Sequence, residues 1–295
     1  MNKSEFMRVK NFIYAGLDFI FDHKYRPWFL EANAAPGGAI DYLDVYGKNK
    51  ILEKLANFMN RFENPCVLVG RGSSGSKWTA DQLKKYTLVN LCPYKKNMNR
   101  KSTLIDRNGR IIHPGCIFRF NFRLSSAFER SGVAVINPNC VRETAKNKYH
   151  TIAIAKKAGL RIPETHIIRN NKELKKLISG SHIYDHGYVI KPVVGSKGQG
   201  VHVFSENERI FIVHHKELLE ERIIPRLIHR KYWDTRIFVI NGEVVGGIMR
   251  ESIHRITNLS RGAKPEKLSE MLLRKVKKPS LRIVKAIDKE AERLK

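Results

Sequence analysis

Apolar and polar positions along the chain fall into short runs separated by glycine, proline and polar breaks. FIYAGLDFIF, from Phe12 to Phe21, and PWFLEAN, from Pro27 to Asn33, read as two strands. The polar DHKY between them predicts a hairpin. After a Pro-Gly-Gly break at Pro36 to Gly38, NKILEKLANFMNRF sets Ile51, Leu52, Leu55, Phe58 and Met59 at helical spacing. Asn64-Pro65 marks a boundary. Beyond it, CVLVGRGSSGSKWTADQLKKY reads as buried strand, Gly/Ser loop and helix, the opening of an α/β layer. IIHPGCIFRFNF and GVAVINP supply further strands. A helix carrying Lys148 is expected from Thr144 to Ala158, ended by the glycine and proline of AGLRIPET. YVIKPVVGSKGQGVHVF reads as strand, glycine loop, strand. ELLEERIIP and DTRIFVINGEVVGGIMR are strands again, the latter turning at Asn241-Gly242, and PSLRIVKAIDKEAERLK is a closing helix. The alternation predicts an α+β or α/β protein with glycine loops over a cleft.

Composition narrows the class. At 295 residues and 42% hydrophobic, the chain can bury a core of two to three subdomains sharing one cleft. No run of about 18 apolar residues is present, so a spanning helix is not expected. The first residues are broken by Lys10, Asp18 and Asp22 and do not read as a signal peptide. Cys66, Cys92, Cys116 and Cys140 form no C-x-x-C pair, which points away from zinc or a disulfide framework and toward a reducing cytoplasm. Charge is the unusual quantity. Lys+Arg 55 against Asp+Glu 28 gives a formal net charge of +27, spread along the whole chain. A solvated basic surface would account for it. So would an acidic small molecule, peptide or protein, or, less favoured, nucleic acid.

Three groups of residues carry candidate chemistry. In Lys191-Pro192-Val193-Val194-Gly195-Ser196-Lys197-Gly198-Gln199-Gly200, a lysine ends a strand and three glycines allow backbone N–H groups to approach phosphate oxygens. The spacing is not that of a Walker loop, and an unliganded hairpin turn is the less favoured alternative. Asp18 on the first strand and Glu31 and Asn33 on the second share a face if the hairpin forms, giving hard oxygen ligands suited to Mg²⁺. Asp234 and Arg236 share a strand face, and Arg250, Asn258 and Arg261 follow the next turn. Converging arginines there would hold an anion and neutralise charge in phosphoryl transfer. The loop Gly70 to Lys77 between strand and helix could also hold an anion. The histidines show no metal-ligand spacing, and no Ser/His/Asp or Cys/His set stands out.

The series Lys148-Tyr-His-Thr, KPVVGSKGQGV, EERIIP, DTRIFVINGEVV and NLSRG resembles the ATP-grasp superfamily, in particular enzymes that add glutamate to protein or peptide carboxylates, with glutathione synthetase as a relative. AGLDFIFD and FLEANAAPGG resemble that family's closing, metal-binding motif, which here comes first. Joining SLRIVKAIDKEAERLK to NFIYAGLDFIFD restores the family order, so the chain reads as circularly permuted. A remnant of a tandem domain, a strand exchanged between chains or an engineered permutant would give the same order.

The resemblance implies an ATP-grasp fold with a pre-ATP-grasp α/β subdomain. Residues 1–62 would be the permuted end of the core, 63–135 the pre-ATP-grasp domain, 136–219 the lid with its glycine loop and 220–295 the rest of the core. It implies Lys148 and Lys191 on ATP phosphates, and Gly195, Ser196, Gly198 and Gly200 in the phosphate loop. Glu220 or Glu221 with the backbone at Ile223 would hold the adenine, and Asp234 the ribose. Asp18, Glu31 and Asn33 would bind two Mg²⁺ ions, and Arg236 and Arg250 would act on the transferred phosphate. The activity implied is a carboxylate–amine ligase working through an acyl phosphate. A nucleotide-binding protein without ligase chemistry and a kinase on the same fold are the alternatives.

Overall fold

The computed structural model describes residues 10–70, 74–94, 102–120, 124, 126–195, 198–205, 208, 212–213, 215–225, 227–228 and 230–295. The chain begins with the expected hairpin, β1 (Tyr14–Phe21) and β2 (Pro27–Asn33). Helices α1 (Ala39–Tyr46) and α2 (Lys50–Met59) follow. Next come β3 (Cys66–Val69), α3 (Ser74–Leu83), β4 (Asn90–Pro93), the short pair β5 (Leu104–Ile105) and β6 (Ile111–Ile112), β7 (Cys116–Phe118), α4 (Ser126–Arg130) and β8 (Ala134–Ile136). Helices α5 (Asn139–Lys146) and α6 (Lys148–Lys157) lead into β9 (Thr165–Ile168), α7 (Asn171–Ser179), β10 (Tyr188–Pro192), β11 (His202–Phe204) and β12 (Glu217–Glu221). The last elements are β13 (Tyr232–Ile240), β14 (Glu243–Ser252), β15 (Lys264–Lys267) and α8 (Glu270–Arg293).

The strands form three principal sheets. An antiparallel one runs β15-β14-β13-β1-β2, a second antiparallel one runs β11-β10-β12-β9, and a parallel one runs β4-β3-β7-β8. β1 lies between β13 and β2 and is buried almost throughout, Asp18 included. Leu17, Phe19 and Ile237 on one face of this sheet join Leu52, Leu55, Val276, Ile283 and Ile287 from α2 and α8 in the main core. A smaller core under the parallel sheet contains Cys66, Leu68, Cys92 and Phe128. The second antiparallel sheet has its own, with Ile168, Leu174, Tyr188 and Leu219. Cys66, Cys92, Cys116 and Cys140 are not bonded to one another, and the first three are buried.

Two helix assignments need correction. The helix expected over 144–158 is interrupted at Asn147, whose backbone is extended at φ −86°, ψ 99°. The Asn147 side chain accepts a hydrogen bond from His150 N (3.0 Å), as a cap, and its backbone bridges to Val194. Lys148 therefore opens α6 against the glycine loop, with its N–H donating to Val193 O (3.0 Å). The closing helix starts at Glu270, nine residues before the proline that reads as its first turn. Pro279 sits inside it. The buried positions Leu272 and Val276 continue the apolar face past the proline.

The two ends of the described chain are tied together. The Asp288 carboxylate of α8 accepts backbone N–H bonds from Lys10 (3.0 Å), Asn11 (2.7 Å) and Phe12 (2.7 Å). Lys10 Nζ pairs with Glu292 at 2.8 Å. Among the described residues, no helix is long and apolar enough to cross a membrane.

Gly187 joins α7 to β10 at φ +99°, and a Cβ there would come within 2.1 Å of Phe204 O. Gly187→Ala is therefore expected to destabilise the second antiparallel sheet by about 2–3 kcal/mol. The loss should appear as a lower urea midpoint, with faster amide exchange along β10 and β11.

Candidate active site

The hairpin register places the charged candidates together. Asp18 lies opposite Glu31 on one side and opposite Arg236 on the other. Asp234 lies opposite Arg250, and Asn33 opposite Gly16, two residues from Asp18. These residues occupy the sheet face away from α8, as the two-residue alternation requires. Arg236 grips Asp18 with two bonds, Nε to Oδ1 at 2.8 Å and Nη2 to Oδ2 at 2.7 Å. Arg250 grips Asp234 in the same way at 2.6 and 2.5 Å, and its Nη2 also reaches Asp18 Oδ2 at 3.1 Å. Asn33 Nδ2 donates to Glu31 Oε1 at 3.2 Å, which orients that carboxylate.

The second antiparallel sheet supplies the facing wall. Lys191 projects from β10 and pairs with Glu220 of β12 at 2.8 Å, both buried. Lys148 reaches from α6 to Glu31 Oε2 (3.2 Å) and donates to Gly195 O (2.8 Å), joining the two walls. Gly198 and Gly200 take φ of +67° and +69°, backbone that a side chain would strain. Between the walls is a cleft of about 1180 Å³, including its open mouth. Ile20, Leu30, Val189, Val201, Val203 and Ile256 give it apolar sides. Charged floor and apolar walls suit a ligand with a polyanionic end and a flat heteroaromatic end.

Burial shapes the electrostatics. It disfavours ionised Asp18, yet Arg236 and Arg250 beside it outweigh that cost and hold its carboxyl far below the usual range. At Asp234 burial wins over Arg250, and the neighbouring Asp18 charge adds to it, so its carboxyl is raised. Burial also opposes the Arg250 charge, but Asp18 and Asp234 together raise its affinity for the proton. Two carboxylates and an amide from adjacent strands, with Asp18 fully ionised, fit a hard divalent cation that shares its coordination with phosphate and water. Among the described residues, no group of three or more His, Cys, Asp and Glu gathers into a closed metal cage.

Asp18, Glu31, Lys148, Lys191, Gly195, Gly198, Glu220, Glu221, Ile223, Asp234, Arg250 and Asn258 all line the cleft. Asn33 stands behind Glu31, and Arg236 sits under Asp18. Gly200 packs on Pro192, 3.3–3.4 Å from the position of a Cβ. Arg261 lies in a neighbouring depression with His254 and Arg255, its side chain against Gly198. Ser196 is outside the described residues, as is part of the Gly70–Lys77 loop. Glu220 and Glu221 differ in role: Glu220 holds Lys191, and Glu221 accepts from Glu164 N at 3.2 Å. Sequence reasoning passed over Arg255, which lines the cleft and binds Val203 O (3.1 Å) and Glu208 (2.7 Å). A contact across 47 residues leaves no local pattern to read.

Residues 145–290 match the family of the RimK-like ATP-grasp domain. The chain carries a RimK-like ATP-grasp domain. Its glycine loop, Lys191 and the paired strands β13 and β14 fall inside the matched residues, and the β1–β2 hairpin falls outside them. The tetrahydromethanopterin:alpha-L-glutamate ligase of Methanosarcina acetivorans is 31% identical over 163 residues, 50% of this chain and 49% of the relative. The alpha-aminoadipate–LysW ligase LysX of Sulfurisphaera tokodaii is 32% identical over 151 residues, 49% of this chain and 52% of the relative. The chain thus matches about half the length of these relatives. A crystal structure of a Methylobacillus flagellatus protein assigned as a gamma-glutamylcysteine synthetase has the same fold. It has a TM-score of 0.64 at 10% identity and covers 97% of this chain and 90% of its own. The ATP-grasp fold with its mixed α/β sheets is therefore as expected, and ATP-grasp ligases use ATP.

Proposed function

We propose that the cleft binds Mg-ATP and that the protein is an ATP-dependent carboxylate–amine ligase. The observation that carries this reading is the facing of two charged walls, Asp18, Glu31, Arg236 and Arg250 on one and Lys148 and Lys191 on the other. The similarity to ligases that join amino acids to other molecules supports it. In the reaction proposed, a substrate carboxylate oxygen attacks the γ-phosphorus of ATP and ADP leaves. An amine then attacks the resulting acyl phosphate, forming the amide and releasing phosphate and a proton.

Bound Mg²⁺, as two ions, would neutralise phosphate charge. Asp18, Glu31 and Asn33 would hold the metal. Lys148, Lys191 and the backbone of Gly195 to Gly200 would hold the phosphates. Glu221 and the backbone toward Ile223 would border the adenine, and Asp234 the ribose. Arg236 and Arg250, with Asn258 and Arg261 nearby, would stabilise charge on the transferred group. An acidic amino acid, peptide or protein is the substrate class proposed from the +27 charge.

We also propose that the chain is a circular permutation of the family order, with residues 1–62 and 220–295 completing one core, 63–135 as pre-ATP-grasp domain and 136–219 as lid. The contacts of Asp288 with Lys10, Asn11 and Phe12 support it, because they close the expected junction.

Thermal unfolding with Mg-ATP, Mg-GTP and metal-free ATP tests the site, followed by screening of acids and amines for ADP release. An ATP-selective rise in melting temperature, increased by magnesium, is expected. Lys191→Ala removes a phosphate contact and leaves Glu220 buried alone, so the shift should largely disappear. An unchanged shift in that variant would remove Lys191 from the site. A phosphorylated product with no amide would indicate a kinase instead.

A further inference from the structure

Helix α8 carries a row of charge that neither its packing nor the cleft uses. From Met271 to Ile287 the sequence MLLRKVKKPSLRIVKAI contains six basic residues and no acid. Lys275, Lys278, Arg282, Lys285 and Lys289 recur at alternating steps of three and four, so they form one line along the helix. All five are exposed, opposite the buried positions Val276, Ile283, Val284 and Ile287. None of the five makes an ion pair among the described residues, whereas the flanking Arg274 and Arg293 are held by Glu270 and Glu290. Like charges at this spacing repel and cost helix stability, and the helix also accommodates Pro279. The apolar face sustains the fold, so the row is free to serve an outside partner.

We infer that the solvent face of α8 is a docking surface for an acidic polypeptide segment whose Asp and Glu side chains recur at helical spacing. The row is straight, about 21 Å long, with a cation every 5 Å or so. An acidic helix laid beside it advances by the same rise per residue and can meet each cation in turn. A nucleic-acid duplex fits less well, because its phosphates wind away from a straight ridge. Four of the five cations are lysines rather than the arginine forks that grip phosphate in pairs. Single strands need aromatic platforms for their bases, and Glu270–Arg293 contains no aromatic residue. The surface is on the far side of the sheet from Asp18 and Arg250, so the inference does not depend on the chemistry of the cleft.

Fluorescence anisotropy tests it, with a labelled helical peptide bearing glutamates at three- and four-residue steps, read at low and moderate salt. The full chain should bind the peptide, and Lys278→Glu/Arg282→Glu/Lys285→Glu should weaken binding by about tenfold or more. The milder Lys278→Gln/Arg282→Gln/Lys285→Gln variant should lose less and keep the wild-type melting curve, so that loss of folding is not mistaken for loss of binding. Lys172→Glu/Lys175→Glu/Lys176→Glu on α7 makes the same change in net charge and should leave affinity within about twofold. Equal loss in the α7 variant would show that net charge, not the row, attracts the peptide. Full binding by both α8 variants would overturn the inference. So would tighter binding of a DNA duplex than of the peptide at the same salt.

Discussion

Arg250→Met is expected to lower stability by about 3–5 kcal/mol, the range for breaking a buried ion pair from one side. Arg250 is buried, holds Asp234 with two bonds and touches Asp18 as well. Methionine fills much of the same space without a charge. Asp18 keeps Arg236, but Asp234 is left buried with no cation. The melting temperature should fall by roughly 10 °C. The loss should also depend on pH. The carboxyl of Asp234 is already raised by burial, so the folded state holds that proton more readily than the unfolded chain does. Stability from such a group is present at low pH and is lost as pH rises through its folded-state value. Without Arg250 the effect grows, so the variant should lie closer to wild type at pH 5 than at pH 8. Arg250→Met/Asp234→Asn should recover part of the loss at pH 8. A melting curve within a degree or two of wild type at both pH values would refute the pairing.

Asp18→Asn should separate nucleotide binding from metal dependence. In the structure both oxygens of Asp18 are occupied by Arg236, and one also by Arg250. In the proposed complex a cation at Asp18 would displace those guanidinium groups and free them for phosphate. Metal-free ATP meets cations already neutralised: Lys148 by Glu31, Lys191 by Glu220 and Arg236 by Asp18. Asparagine releases Arg236 without any metal. Metal-free ATP should then bind about tenfold more tightly than to wild type, the worth of one charge-assisted hydrogen bond. The gain from magnesium should shrink, and turnover should fall by about a hundredfold or more. Titration calorimetry with and without magnesium separates the outcomes. Weaker metal-free binding in Asp18→Asn would refute ion-pair exchange while leaving the nucleotide site intact. No binding by either protein would refute the site itself.

Much of this architecture is legible in the chain. The β1–β2 and β13–β14 hairpins, the strand–loop–strand around Lys191 and helix α2 all carry local signals in periodicity and turn chemistry. That Glu31 and Asn33 share one side of their strand follows from two-residue alternation, whereas Asp18 meets them through a hairpin register that shifts between Asp18 and Phe19. Other features resist such reading. Asn147 interrupts a helical pattern because its extended backbone bridges to Val194, a partner 47 residues away. Pro279 reads as a helix start, but the core beneath Leu272 and Val276 keeps the helix running through it. The short helix α1 lies between two glycines in left-handed backbone and has too few turns to show a period.

The sequence by itself determined the class of the fold and marked out the hard-oxygen side chains and the basic and glycine-rich positions proposed for metal and phosphate, because each depends on residue type and on neighbours within a few positions. Only the tertiary structure decided which charges face one another. Asp18 and Arg236 are 218 residues apart, and Glu31 comes from strand β2 and Lys148 from helix α6. Their pairing depends on strand order, which brings β1 between β2 and β13, and on α6 being pinned to the glycine loop. Periodicity can specify the face of a strand, whereas the neighbour across it is set by which packing buries the most apolar surface with every backbone group paired.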